Sequence, residues 1–166
     1  MTQRRFFVLS ALALAAGGGG ALVWQLNELP KAPAVDYVLL DGKKSSSAQW
    51  AGKVMLVNFW ATSCVTCVKK MPMLMDTHRK YQPKGFEVLA VAMQYDPPDY
   101  VAQFAQTRQL PFGVIIDNQG AVSNAFGGVR VTPTSILIDR EGHIVARLVG
   151  DIEEAKLHAL VEELLA

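Results

Sequence analysis

The run Val54-Met55-Leu56-Val57-Asn58-Phe59-Trp60-Ala61-Thr62-Ser63-Cys64-Val65-Thr66-Cys67 contains the only two cysteines of the chain. Residues 54–60 are apolar everywhere but Asn58, and β-rich, as expected of a strand buried on both faces. Residues 65–81 then read as a helix, with Pro72 inside it as a kink. The cysteine pair therefore stands where a strand hands over to a helix. In open α/β sheets, ligands and reactive groups collect there, beyond the carboxyl ends of the strands.

That position has chemical consequences for Cys64. Unpaired N–H groups of the first helical turn point at its sulfur. The helix dipole favours negative charge there by about 0.3–1 kcal/mol. The Cys67 thiol can hydrogen-bond the thiolate, and Lys69 and Lys70 add positive charge nearby. Thiols in CxxC motifs commonly titrate near or below about 7, against about 8.5 when free. The larger thiolate fraction is partly offset by lower intrinsic nucleophilicity, so attack gains only about threefold. The greater effect is that Cys64 becomes a good leaving group. Cys64, nearer the strand end and more exposed, is thus the attacking sulfur; Cys67, a turn into the helix, resolves the mixed disulfide.

On either side of this run the chain alternates strand and helix. Residues 35–40 and 43–47 read as a hairpin around Asp41-Gly42. Residues 86–93 (FEVLAVAM) are a second apolar strand. A helix over 99–108 is opened by Pro97-Pro98, a short strand spans 114–117, and a short helix over 121–126 ends at Gly127-Gly128. Strands over 134–139 and 144–149 are joined by Arg140-Glu141-Gly142. Residues 152–165 form a last amphipathic helix. Strands separated by helices imply parallel pairing with right-handed crossovers, and the closing hairpin adds an antiparallel edge. The fold class is α/β, a mixed central sheet with helices on both faces.

The composition agrees with one globular domain. Of 166 residues, 51% are hydrophobic and 19% charged, which excludes a disordered chain. Lys and Arg number 16 against 15 Asp and Glu, so no basic excess points to nucleic acid. Arg4 and Arg5 precede residues 6–24, which carry no charge and only Ser10 as a polar residue. A positive start before an apolar run is an export signal, and the arginines stay on the cytoplasmic side. Ala13-Leu14-Ala15 fits a cleavage site, whereas the whole run could reach roughly 28 Å as a retained anchor. Both readings stand, and the adjacent arginines also resemble a twin-arginine signal. Residues 1–24 are therefore read as signal peptide or membrane anchor. Residues 25–34, with two prolines, are read as a linker, and 35–166 as the domain. Beyond residue 30 the chain carries 14 positive and 14 negative side chains, so no long-range field steers a charged partner.

Other uses of the cysteine pair fit the sequence less well. A closed zinc site needs a paired histidine motif, and His78, His143 and His158 are scattered. A purely structural disulfide would close a tiny loop with little entropic benefit. A copper-delivery module would join the pair to a remote histidine. No Pro-x-x-x-Ser/Thr-x-x-Cys arrangement precedes Cys64, which disfavours a peroxidase.

The segment Asn58-Phe59-Trp60-Ala61-Thr62-Ser63-Cys64-Val65-Thr66-Cys67, with Pro72 beyond it, resembles the active-site segment of the thioredoxin superfamily. It is most like the extracytoplasmic TlpA/ResA branch. Val131-Thr132-Pro133-Thr134-Ser135-Ile136-Leu137-Ile138-Asp139 resembles that family's second signature, whose proline is cis and faces the CxxC. The resemblance implies a thioredoxin-like three-layer sandwich with an N-terminal hairpin extension. It implies a thiol–disulfide oxidoreductase that needs no cofactor or metal, in the periplasm or on the outer face of the cytoplasmic membrane. Its substrates would be protein disulfides, an apocytochrome c among them, and a thiol donor in the membrane would re-reduce it. An oxidase on the same fold would differ only in potential.

The resemblance also names substrate-binding residues. Pro133 suits a strand start because it cannot donate a ladder hydrogen bond. A cis bond there would leave the Thr132 backbone free to pair with an extended substrate segment. Trp60 would pack beside the site. The chain departs from the pattern at three places. Asn58 stands where cytoplasmic thioredoxins have a buried Asp, leaving Asp96 as the nearest carboxylate candidate. Ser63 replaces the usual Trp before the first cysteine and opens the site. Val65-Thr66 replaces the familiar dipeptides, so the potential does not transfer.

Overall fold

The computed structural model describes residues 29–166. The predicted signal or anchor over 1–24, and residues 25–28 of the predicted linker, lie outside the described residues. Among the described residues, no helix is long and apolar enough to cross a membrane.

The strand elements are β1 (Asp36–Val38), β2 (Lys44–Ser46), β3 (Val54–Trp60), β4 (Phe86–Ala92), β5 (Gly113–Ile116), β6 (Thr134–Ile138) and β7 (Ile144–Val149). The α-helices are α1 (Val65–Tyr81), α2 (Pro98–Arg108), α3 (Ala121–Ala125) and α4 (Glu154–Leu165). β1 and β2 form the expected antiparallel hairpin. Its turn needs a positive φ at Gly42, and the Asp41 carboxylate accepts the Lys43 N–H.

The main sheet has the order β5-β4-β3-β6-β7. β3, β4 and β5 are parallel, β6 runs antiparallel to β3, and β7 antiparallel to β6. The closing hairpin thus does more than add an edge: β6 takes the second side of the central strand. Because β6 is antiparallel, its first residue Thr134 pairs with Phe59 near the end of β3. The 131–133 loop is thereby carried to the end of the sheet where Cys64 lies.

Every residue of β3 is buried, and its side chains alternate between two cores. Val54, Leu56 and Trp60 join Met71 of α1, Val101 of α2 and Leu157 of α4 on one face. Met55, Val57 and Phe59 join Val122 of α3 and Trp50 on the other, closed by Tyr37 and Leu39 of the N-terminal hairpin region. The three layers are therefore uneven: three helices cover one face, and the short α3, a 3-10 turn at Ser47–Trp50 and the hairpin cover the other.

Most element ends lie within a residue or two of the sequence reading, and two of the differences bear on packing. The last helix begins at Glu154, not at residue 152. Ile152 is buried, so it fits the apolar pattern, but its carbonyl accepts a hydrogen bond from Lys70 Nζ at 3.2 Å before the helix starts. Ordered contacts also begin inside the expected linker. The Ala32 N–H donates to Gly142 O at 2.8 Å, and Lys31 bridges to His143 at the β6–β7 turn.

Candidate functional site

Cys64 is the N-cap of α1. Its backbone is extended (φ −86°, ψ 102°), and its Sγ accepts the Cys67 N–H at 3.2 Å. A sulfur takes the place that a Ser or Asp oxygen usually holds at a helix start. The next turn of helix continues as Val68 N–H donates to Cys64 O. Cys64 and Cys67 are joined as a disulfide with Cα atoms 5.2 Å apart. Their exposures differ. Cys67 is only 3% exposed, Cys64 is half-buried, and the intervening Val65 is 81% exposed. A visiting polypeptide therefore meets Cys64 first.

The turn before Cys64 is held by a residue far along the chain. Asp96, buried in the loop after β4, accepts the Thr62 N–H at 2.7 Å and the Thr62 hydroxyl at 2.5 Å, one on each carboxylate oxygen. Asp96 thus shapes the approach to the disulfide, with both oxygens already engaged by Thr62. Asn58 is also buried and donates from Nδ2 to Ser135 Oγ at 2.8 Å, which locks β3 to β6. Of the two lysines expected to enrich the site in positive charge, Lys69 is exposed. Lys70 turns away to an ion pair with Asp151 at 2.8 Å.

The second signature lies at the same end of the sheet. The Thr132–Pro133 peptide bond is cis. Pro133 is buried, Thr132 half-buried and Val131 exposed, so the accessible part of this loop is Val131-Thr132. The loop is clamped from two sides: Gly150 N–H donates to Pro133 O, and Thr134 Oγ1 donates to Val131 O. The place given to Trp60 needs correction. It is fully buried, packed on Phe104 with ring centroids 5.1 Å apart, and offers a substrate no surface. The apolar face of β3 claims it, because its alternation points Trp60 into the first core.

The histidines sit apart from the pair. His78 contacts Glu87, His143 contacts Asp139, and His158 contacts Thr77. Among the described residues, no group of three or more His, Cys, Asp or Glu side chains could hold a metal ion. The remote histidine that a copper module would use is not brought to the cysteines.

A cavity of about 640 Å³ opens beside the disulfide. Ser63 forms its near end, Tyr95, Tyr100 and Phe104 line it, and Arg108 lies at its far side. Tyr95 and Tyr100 escaped the sequence reading. For Tyr95 the signal was available: residues 93–97 follow a parallel strand, where the rule that singled out Cys64 applies equally. Tyr100 lies in α2 and had no such signal.

A family model described as Redoxin matches residues 29–164. The thiol-disulfide oxidoreductase ResA of Geobacillus thermodenitrificans is 36% identical over 129 residues, covering 75% of this chain and 73% of that protein. The solution structure of a putative thioredoxin from Neisseria meningitidis superposes with a TM-score of 0.75 at 42% identity, covering 81% of this chain and 89% of the other. A thiol:disulfide interchange protein of the thioredoxin family from Chlorobium tepidum superposes with a TM-score of 0.77 at 28% identity, covering 84% and 98%.

Proposed function

The chain belongs to the Redoxin family and is a thiol–disulfide oxidoreductase of the TlpA/ResA-like thioredoxin type, and we propose that it works outside the cytoplasm as a reductase of protein disulfides. The observation that carries the division of labour is the unequal exposure of two sulfurs at one helix start: Cys64 is reachable and Cys67 is covered.

In the reduced protein the Cys64 thiolate attacks one sulfur of a substrate disulfide. A Cys64–substrate disulfide forms, the substrate bond breaks, and the first substrate sulfur leaves as a thiolate that takes up a proton. The Cys67 thiolate then attacks Cys64 Sγ, expels the second substrate sulfur, and closes the Cys64–Cys67 bond. One electron pair passes from the dithiol to the substrate. The N–H that Cys67 donates to Cys64 Sγ stabilises negative charge on that sulfur both as nucleophile and as leaving group. The accessible Thr132 backbone supplies an edge along which an extended substrate segment lies, and Pro133 shapes that edge from beneath.

Two sequence features support the location. Arg4 and Arg5 before the uncharged residues 6–24 direct export, with 1–24 acting as signal or anchor and the oxidoreductase domain beyond the linker. The absence of any cysteine outside the CxxC avoids misdirected pairing in an oxidising compartment. The reducing direction, an apocytochrome c as client, and a membrane thiol donor for re-reduction are taken from the TlpA/ResA resemblance.

The test is disulfide trapping. Cys67→Ser should accumulate a mixed disulfide at Cys64 with client proteins, identifiable by mass spectrometry, while Cys64→Ser traps little. Equal trapping by both variants would reverse the role assignment. The direction is read from the equilibrium potential of the Cys64–Cys67 pair in glutathione buffers: a potential as oxidising as the periplasmic oxidases, about −120 mV, would make the protein an oxidase instead.

A further inference from the structure

We propose that the cavity between the Ser63 turn and α2 is a substrate subsite, and that it takes an aromatic side chain two residues from the reacting cysteine of an extended polypeptide. The inference rests on the reductase reading and names the kind of segment that site accepts. It stands on three observations. The cavity adjoins the turn that carries the reacting sulfur, because Ser63, the residue before Cys64, lines it. It is also continuous with the substrate edge, because the Tyr95 hydroxyl lies 3.3 Å from Thr132 Oγ1 and Tyr95 lines the cavity. Its walls are aromatic: Tyr95 and Tyr100 are 56% and 62% exposed, and Phe104 lies behind them.

The register follows from strand geometry. In an extended segment, side chains alternate between faces, and residues i and i+2 share a face roughly 6.8 Å apart. A substrate cysteine that points its sulfur at Cys64 therefore turns its immediate neighbours away and its second neighbours back toward the protein. One of those second neighbours falls beyond Ser63, over the cavity. Phenol and phenyl walls favour an aromatic guest through offset or edge-to-face contacts, in addition to burial of its area. Both oxygens of the lining residue Asp96 are already bonded to Thr62, so they are not free to accept a hydrogen bond in the same positions from a guest. With charges balanced over the domain, discrimination among clients has to come from such shape and apolar contacts rather than from long-range attraction.

The experiment uses reduced protein and symmetric peptide disulfides, each peptide a glycine-rich segment with one cysteine, and follows peptide thiol release. Peptides carry Phe at −2, at +2, at −1 or +1, or no Phe. 2-Hydroxyethyl disulfide serves as a substrate with nothing to place in the cavity. One of the second-neighbour peptides should react about tenfold faster than the glycine peptide, while the first-neighbour peptides do not. Gln103→Trp, which fills the cavity from α2, should bring that ratio to about one, the expected result when the apolar burial is removed. The ratio is read within each variant, so a change in the intrinsic reactivity of Cys64 cancels. Equal rates for all peptides in the unmodified protein, with hydroxyethyl disulfide reduced, would overturn the subsite and leave the reductase reading standing. A preference that survives Gln103→Trp would also overturn it. Failure to reduce any disulfide would overturn the reductase reading, and the subsite with it.

Discussion

At the scale of single residues, the site depends on side chains that hold its backbone in place. Asp96 is the clearest case. It is 2% exposed, and both carboxylate oxygens are taken by Thr62, so the turn that delivers Cys64 is fastened to the loop after β4. Asp96→Ala would leave the Thr62 N–H without its partner in a part-buried position. The expected cost is about 1–3 kcal/mol of unfolding free energy, measured by urea denaturation of the oxidised protein, because an orphaned donor loses its full solvation. A loss well under that range would mean that water replaces the carboxylate. The TlpA/ResA resemblance pointed to Asp96 as the nearest carboxylate candidate. What it binds was not, because Thr62 and Asp96 are 34 residues apart.

At the scale of elements, α1 and α4 are joined by a polar seam beneath their apolar contact. Thr77 Oγ1 lies 3.0 Å from His158 Nε2, and the buried Tyr81 donates its hydroxyl to Glu162. Burial, then the bond to Glu162, pushes the Tyr81 phenol above its ordinary value of about 10. The hydrogen bond from Tyr81 holds Glu162 below its ordinary value of about 4.5. The signs follow from linkage. A raised Tyr81 contributes stability that is complete below about pH 10 and is lost as pH climbs through its folded value. A lowered Glu162 contributes stability that is present above about pH 4.5 and is lost as pH falls through its folded value. Tyr81→Phe should therefore flatten the alkaline fall in the urea midpoint above pH 10, and shallow its acid fall below pH 4.5. An alkaline limb unchanged in the variant would assign it to other groups. The amphipathic spacing predicted that these helices bury apolar faces. It did not reveal which polar residues meet, because each pair is 81 positions apart and depends on how the two helices are rotated against one sheet.

For the molecule as a whole, the balance of 14 positive and 14 negative side chains beyond residue 30 removes any long-range steering. The second-order rate with a neutral peptide disulfide should change by less than about twofold between 50 and 500 mM salt, since only contacts shorter than the Debye length remain. A steep salt dependence in stopped-flow measurements would mean that local charge at Lys69, Arg108 or Arg130 guides the encounter. Among the described residues, four of the eight exposed large hydrophobics, Val65, Tyr95, Tyr100 and Val131, belong to the loops and helix starts at the disulfide end of the sheet, which fits contact-driven recognition. A cluster of exposed apolar side chains is characteristic of a binding surface.

Local chemistry in the chain determined the alternation of strand and helix, the hairpin, the three-layer class, and the placing of Cys64 at a helix start. Each depends on residues within one element or one turn, where periodicity and spacing carry the information. Tertiary structure alone decided the rest. β6 paired beside β3 and carried Thr132 to the reacting end. Trp60 went inward to the first core, Lys70 left the cysteines for Asp151, and Tyr95 joined Thr132 across 37 residues. These outcomes turn on strand order and on which face each side chain meets, and no short window of sequence contains the competing partners.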